Sequence, residues 1–290
     1  MRTSADYAGD ITEASTSALL ELALALGAYR DALVLIGGWA PYYLIQDHGS
    51  REFRHIGSID IDLAVDPEKI GPDQYATIVD LITERGYSMR RGIDGAPVPF
   101  SYQKGIPAPS GSRTYNISVD FLTCGSEERK GHRHRDVQSS LPARIAKGCE
   151  LAFVHNYRRT IEGMLPGNGS SRGEIRILDL PGCIGMKGIV LGERYKEKDA
   201  YDLFSVISQC LGGPEEVGAR VLPFLREEGM REGVGNIADK FRSIEAEGPS
   251  WVGTFLHPGD AEQNKRAQAE SYVLVGRFLN TVYMTAENTG

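Results

Sequence analysis

The spacing of apolar and polar positions changes several times along the chain. From Thr12 to Tyr29 apolar residues recur at helical spacing, with Leu19, Leu22, Ala23 and Leu26 on one stripe, which predicts an amphipathic helix. Asp10 followed three residues later by Glu13 resembles a capping box at its start. Leu33-Val34-Leu35-Ile36 is an unbroken apolar run, the pattern of a buried strand, and it stops at Gly37-Gly38. Trp39 to Gln46 predicts a short helix. Ile59 to Val65 alternates with period two, placing Ile59, Ile61 and Leu63 on one face and Asp60 and Asp62 on the other. Pro72 to Arg85 predicts a helix with Tyr75, Ile78, Val79 and Ile82 inward. Three strands are expected between Tyr87 and Thr123, the last over Tyr115 to Thr123. Shorter strands are expected around Leu151–Val154, Thr160–Met164 and Glu174–Leu178.

After Pro181 the pattern becomes helical throughout. Pro181 suits the first position of a helix capped by Asp179. Helices are expected over Pro181–Leu191, Lys198–Leu211, Pro214–Glu228, Gly235–Glu245 and Glu262–Ala286, the last with Tyr272, Val275, Leu279 and Val282 on one face. The expected class is therefore α+β, with an α/β domain over 1–178 and an all-helical domain over 179–290.

Composition narrows the partners. Of 290 residues, 41% are hydrophobic and 24% charged, the balance of a folded globular chain. Acidic residues outnumber basic ones 39 to 32, for a net charge of −7, which excludes a wholesale basic coat for nucleic acid. A local basic patch survives: Arg129, Lys130, Arg133 and Arg135 form a candidate grip for an RNA phosphate backbone, whose bland alternative is a solvated loop. His132 and His134 lie close enough to share a metal but lack a third ligand nearby. The cysteines, Cys124, Cys149, Cys183 and Cys210, form no C-x-x-C pair, as expected in a reducing cytoplasm. The first residues do not resemble a signal peptide, and the longest weakly polar stretch, Ala32 to Ile45, is too short to span a bilayer. A cytoplasmic protein without membrane contact is expected.

The chemistry centres on Asp60-Ile61-Asp62. Two carboxylates at i and i+2 on a strand project from one face, where they can share a divalent cation such as Mg²⁺ or Mn²⁺ with substrate phosphates. A D-x-D is expected about once by chance in a chain this rich in aspartate, so its neighbours decide its weight. Ser58 can offer a hydroxyl and an amide to a phosphate oxygen, and Gly37-Gly38 can bring bare backbone amides to a triphosphate. Asn116, Ser118 and Asp120 share one face of a later strand, and Asp120 can add a third carboxylate. Three acids and two cations suit in-line transfer of a nucleotidyl group from an NTP. Lys187, in mid-helix, can neutralise a triphosphate, and Asp202 can anchor Lys187 or act as a base toward an acceptor hydroxyl. Asp199 shares a helix face with Asp202.

The ordered set Gly37-Gly38, Ser58-Ile59-Asp60-Ile61-Asp62 and a distant Asp120 resembles the nucleotidyltransferase superfamily typified by DNA polymerase β. Gly37-Gly38-Trp39-Ala40, and Met186-Lys187 followed by Lys198-Asp199-Ala200-Tyr201-Asp202-Leu203, resemble motifs of the AbiEii/AbiGii toxin group, including the mycobacterial MenT toxins. Ile56 stands where that group often has an arginine. The resemblance implies a nucleotidyltransferase-like mixed β-sheet with flanking helices, followed by a helical part. It also implies a toxin of a toxin–antitoxin system that transfers nucleotides to RNA, most plausibly the tRNA 3′ end, with a cognate antitoxin as partner. Other readings are a nucleotidyltransferase acting on a small molecule such as an antibiotic, a D-x-D glycosyltransferase, and a silent binding module.

Overall fold

The computed structural model describes residues 3–7, 9–70, 76–108, 111, 113–125, 133–167 and 169–287. Among them are nine strands in one sheet and a set of helices that dominates after residue 178, the mixed α/β class expected. The chain divides into two compact units: Ala8–Trp39 with Ser58–Leu178, and Met1–Tyr7 with Ala40–Gly57 and Asp179–Gly290. The expected boundary at residue 178 is thus one cut among several, because the segment 40–57 belongs with the helical unit. A boundary read from a change of periodicity cannot detect a segment that leaves one unit and returns. No helix among the described residues is long and apolar enough to cross a membrane.

In the sheet unit, β1 (Leu33–Ile36) and β2 (Ile61–Val65) pair antiparallel at the centre. β5 (Thr114–Thr123) lies parallel to β2, and β4 (Pro97–Pro107) and β3 (Ser88–Arg91) extend that side antiparallel. On the other side of β1, β9 (Ser170–Leu178) runs parallel and β8 (Asn156–Met164) antiparallel to β9. β7 (Leu141–Ile145) pairs with the end of β5, and β6 (His134–Gln138) pairs with β7. The helix α1 (Asp10–Ala25) buries Ala14, Ala18, Leu19, Leu22 and Ala23. Burying each leucine contributes on the order of 1.5–3 kcal/mol. Ile117, Val119 and Phe121 are buried on β5, whereas Asn116, Ser118 and Asp120 on its other face stay more accessible.

Several local expectations change. Gly9, not Asp10, occupies the N-cap of α1, and no side-chain cap bond forms, so the capping box is absent. Asp10 is already inside the first turn, where its charge still suits the helix dipole. β2 begins at Ile61, leaving Asp60 in the bend that leads into it. The helix α3 spans Ile78–Glu84 with a capping box from Thr77 and Asp80, and the expected Tyr75 lies outside the described residues. The stretch expected as a strand at Leu151–Val154 is a short helix, α4 (Glu150–Val154), with Leu151 and Ala152 buried and Val154 exposed. Short apolar runs do not separate strand from helix by periodicity.

In the helical unit, α2 (Trp39–His48) supplies residues 40–48. α5 (Leu180–Glu193) starts as expected: the Asp179 carboxylate accepts from Gly182 N at 2.9 Å, with Pro181 in the first turn. α6 (Glu197–Gln209) follows. The single helix expected over Pro214–Glu228 ends early, as α7 (Pro214–Val221) and a 3-10 turn over Leu222–Phe224, because Pro223 has no N–H to continue the ladder. α8 (Glu228–Lys240) begins seven residues before the expected Gly235, since packing outweighs its glycines. Backbone approach to α5 explains them: a Cβ on Gly188 would collide with the backbone of Gly233. α9 (Glu247–Leu256) was not expected, because Gly248 and Pro249 mask a face formed by Trp251, Val252 and Phe255. On α10 (Ala261–Glu287) the buried line is Ser271, Val275, Phe278 and Val282; Tyr272 and Leu279, expected on it, sit at its margin.

Candidate active site

The sheet unit gathers most of the residues singled out in the sequence. β1 ends at Ile36, in register with Asp62 on β2. The chain then turns at Gly37 with φ +67°, and Gly38 completes the turn into α2. A Cβ on Gly37 would collide with Asp62 Oδ2, so the turn presses its backbone directly against that carboxylate. On the other side of β2, Asp62 is in register with Asp120 of the parallel strand β5. Neighbouring residues at one register of paired strands point to the same face, so the expected third carboxylate stands beside the second.

Serines on the same face hold two of the acids. Ser118 Oγ donates to Asp60 Oδ1 at 2.8 Å. Ser101 on β4, in register with Asp120, donates to Asp120 Oδ1 at 2.5 Å, and Arg90 Nε donates to Ser101 Oγ at 2.7 Å. Burial pushes the Asp120 carboxyl above its ordinary range; Ser101, Arg90 and Arg144 oppose this, while the nearby charge of Asp60 adds to it. Ser58 is buried, and its hydroxyl donates to the Asp60 carbonyl oxygen at 3.1 Å, which braces the bend into β2. Ser118 was legible from the alternation of β5. Ser101 and Arg90 were not, because only strand pairing brings them to Asp120.

The donor set is all oxygen and anionic, which suits a hard cation such as Mg²⁺. Asp60, Asp62 and Asp120 are the residues that could hold it. The side chains do not form a ready-made cage: among the described residues no three Asp, Glu, His or Cys side chains gather as in a preformed metal centre.

The helical unit gathers the remaining candidates. Lys187 on α5 is buried, with its ammonium 3.0 Å from Asp199 Oδ1 and 2.6 Å from Asp202 Oδ2. Lys198 Nζ reaches Asp202 Oδ1 at 2.7 Å, and Arg194 Nε reaches Asp199 Oδ2 at 2.9 Å. His55 joins from residues 40–57: Gly57 N donates to its Nδ1 at 3.1 Å, so its Nε2 carries the proton and donates to Asp202 Oδ1, 3.1 Å away. Burial lowers the His55 pKa from 6.5 to about 4, against the pull of Asp202. Burial alone would raise Asp202, but Lys187, Lys198 and His55 together hold it far below the carboxylate range. Burial alone would lower Lys187, but Asp202 and Asp199 raise it instead. Of the two roles open to Asp202, this geometry favours the anchor, since a carboxylate so stabilised as an anion is a poor proton acceptor. An ammonium held by two carboxylates likewise has little charge left for a triphosphate.

The basic segment is only partly visible. Arg129, Lys130 and His132 lie outside the described residues. Arg133 is exposed, and Arg135 at the start of β6 donates to Cys124 Sγ at 3.8 Å. Three further arginines of the sheet unit have local partners: Arg90 with Ser101, Arg91 with the Gly95 carbonyl, and Arg158 with Asp31.

No protein-family model matches the chain, and no curated protein matches its sequence. Among solved structures it is similar to an antigenic nucleotidyltransferase-like protein from Paracoccidioides brasiliensis, at 14% identity and a TM-score of 0.46, over 81% of this chain and 92% of that one. It is also similar to JHP933 from Helicobacter pylori, at 10% identity and a TM-score of 0.42, over 95% of this chain and 96% of that one. At these levels neither likeness carries an activity to this chain.

Proposed function

We propose that the protein is a metal-dependent nucleotidyltransferase that moves a nucleotidyl group from an NTP to an acceptor hydroxyl and releases pyrophosphate. The observation that carries this reading is the row of acids on one sheet face: Asp60, Asp62 in register with Asp120, and the Gly37 backbone against Asp62. The residues have distinct tasks. Asp60, Asp62 and Asp120 are the residues that would hold Mg²⁺ or Mn²⁺, which would supply charge neutralisation at the phosphates and lower the cost of ionising the acceptor hydroxyl. The turn at Gly37-Gly38 sets its backbone against the Asp62 carboxylate, so that its amides would lie beside a phosphate brought to that acid. Ser58 braces the bend that aims Asp60. Asp202 fixes Lys187 within the helical unit.

The finer reading follows the sequence resemblance to the AbiEii/AbiGii group: a toxin that modifies RNA at the tRNA 3′ end and is restrained by a cognate antitoxin. Arg133 and Arg135, with Arg129 and Lys130, are the residues assigned to the RNA backbone. The test is direct. Purified protein is incubated with each labelled NTP, Mg²⁺ and total cellular RNA, and the labelled band identifies nucleotide and acceptor. Asp60→Ala should abolish labelling while leaving thermal unfolding intact, because losing a metal carboxylate removes several kcal/mol of transition-state stabilisation, on the order of 10³-fold or more in rate. Labelling by Asp60→Ala at the wild-type rate would place the chemistry elsewhere.

A further inference from the structure

Beyond Asp120 the sheet holds a cation that the protein leaves unpaired. β4 is in register with β5 from Ser101 to Pro107, and past Asp120 its place beside β5 is taken by β7. Arg144 of β7 is in register with Leu122, two residues past Asp120, so it belongs to the face that carries Asp120. Phe100, one residue before the β4–β5 pairing begins, supports it: Arg144 Cζ stands over the Phe100 ring, 5.6 Å from the centroid. His134, opposite Arg144 on β6, lies against the same ring with centroids 5.4 Å apart and planes at 30°. Arg144 Nε is buried without a hydrogen-bond partner, and no ion pair holds the guanidinium among the described residues. A partly buried cation without an acceptor is costly to keep, and it suits a group whose acceptor arrives with a ligand.

The side on which Arg144 stands indicates which ligand that is. Across the sheet the order is Asp62 on β2, with the Gly37 turn against it, then Asp120 on β5, then Arg144 on β7. In-line transfer sets the leaving pyrophosphate and the attacking hydroxyl on opposite sides of the reacting phosphorus. With the outer phosphates of the NTP at the Gly37 turn, the acceptor hydroxyl enters over Asp120, from the side of Arg144. We infer that Arg144 binds a backbone phosphate of a single-stranded RNA acceptor, and that Phe100 and His134 offer an aromatic surface to a base near the reacting end. This rests on the nucleotidyltransferase reading of the acids. It assigns the acceptor's hold beside the chemistry to the folded sheet, in addition to the basic segment. Phe100 and His134 are only half-buried, which leaves ring surface for a base. A cation for the phosphate beside aromatic faces for bases is the combination that holds single strands.

The test reads binding rather than turnover. A short fluorescein-labelled single-stranded RNA of mixed sequence is titrated by anisotropy over a range of salt, and each NTP with Mg²⁺ by calorimetry. The proteins are wild type, Arg144→Gln, Arg144→Lys, Phe100→Leu and Arg158→Gln, with thermal unfolding as the check on folding. Arg144→Gln should weaken RNA binding by roughly tenfold, the worth of one charge-assisted hydrogen bond, and flatten the salt slope by about 0.7, one phosphate contact. Its NTP affinity should be that of wild type. Arg144→Lys should keep the slope. Phe100→Leu should lose about fivefold or more in RNA affinity with the slope kept, and it gives the reading even where Arg144→Gln folds poorly. Arg158→Gln, on the edge strand β8 at the other end of the sheet, should change neither. If Arg144→Gln keeps the wild-type RNA affinity and slope, or loses NTP affinity instead, or if wild type does not bind the RNA, the acceptor role is overturned. The reading of the acids then stands as long as wild type transfers label and Asp60→Ala does not. If wild type neither transfers label nor binds any NTP, both are overturned.

Discussion

A methyl group on Gly37 and the carboxylate of Asp62 would occupy the same space. The turn after β1 is thereby tied to the metal-binding reading of β2, and no other residue type meets both demands, since Gly37 also has φ +67°. Gly37→Ala is expected to lose about 1–2 kcal/mol of stability from the left-handed backbone alone. It should also displace Asp62, so nucleotide transfer should fall well beyond what the loss of folded protein explains. Urea unfolding beside a single-turnover assay separates the two effects, and an Ala variant with wild-type turnover would remove Asp62 from the site.

Lys187 is expected to matter first for folding. Its removal leaves Asp199 and Asp202 short of a buried partner, a change that costs about 3–5 kcal/mol when one member of a buried pair is lost. Lys187→Ala should therefore lower the denaturation midpoint strongly whether or not nucleotide is present. A variant that is inactive yet as stable as wild type would restore the triphosphate role for this residue.

His55 predicts a specific pH dependence of stability. Its folded pKa is about 4 and its ordinary value 6.5, so between these the unfolded chain binds a proton that the folded protein does not. Stability is then fully present above the ordinary value and is lost as pH falls toward 4, at about 1.4 kcal/mol per pH unit. Asp199 and Asp202, with lowered values, give up their contribution only below 3.8. Equilibrium unfolding at pH 7, 6 and 5 should show the slope in wild type and a flatter one in His55→Gln, which keeps an amide donor for Asp202 but does not titrate. Equal slopes would mean that His55 is not the group responsible.

The acceptor can be tested through the basic segment. Changing Arg129, Lys130, Arg133 and Arg135 together to Ala should weaken RNA binding and flatten its salt dependence by up to about 0.7 units of slope per lost contact with a single strand. Nucleotide affinity should survive, because those side chains are not the ones assigned to the triphosphate. An unchanged salt slope and unchanged KM for RNA would mean that the segment is a solvated loop, and would favour a small-molecule acceptor.

The sequence by itself determined the alternation that places Ser118 and Asp120 on one face of β5, the buried run of β1 with its glycine stop, and the Asp179 cap that opens α5. Each is a local signal, carried by side-chain period or by one cap. Where local signals were weak or ambiguous, tertiary structure decided: residues 150–154 became helical, β6 formed from a polar segment by pairing with β7, and α8 formed despite its glycines because the α5 backbone packs against them. Only strand register could put Asp62 beside Asp120 and bring Ser101, with Arg90 behind it, to a carboxylate 19 residues away in sequence. Likewise Asp202 was legible as an anchor for Lys187, but the approach of His55 and Lys198 to the same carboxylate was not. Periodicity reports which face a side chain occupies; which side chains meet across that face is set by pairing and packing between segments distant in the chain.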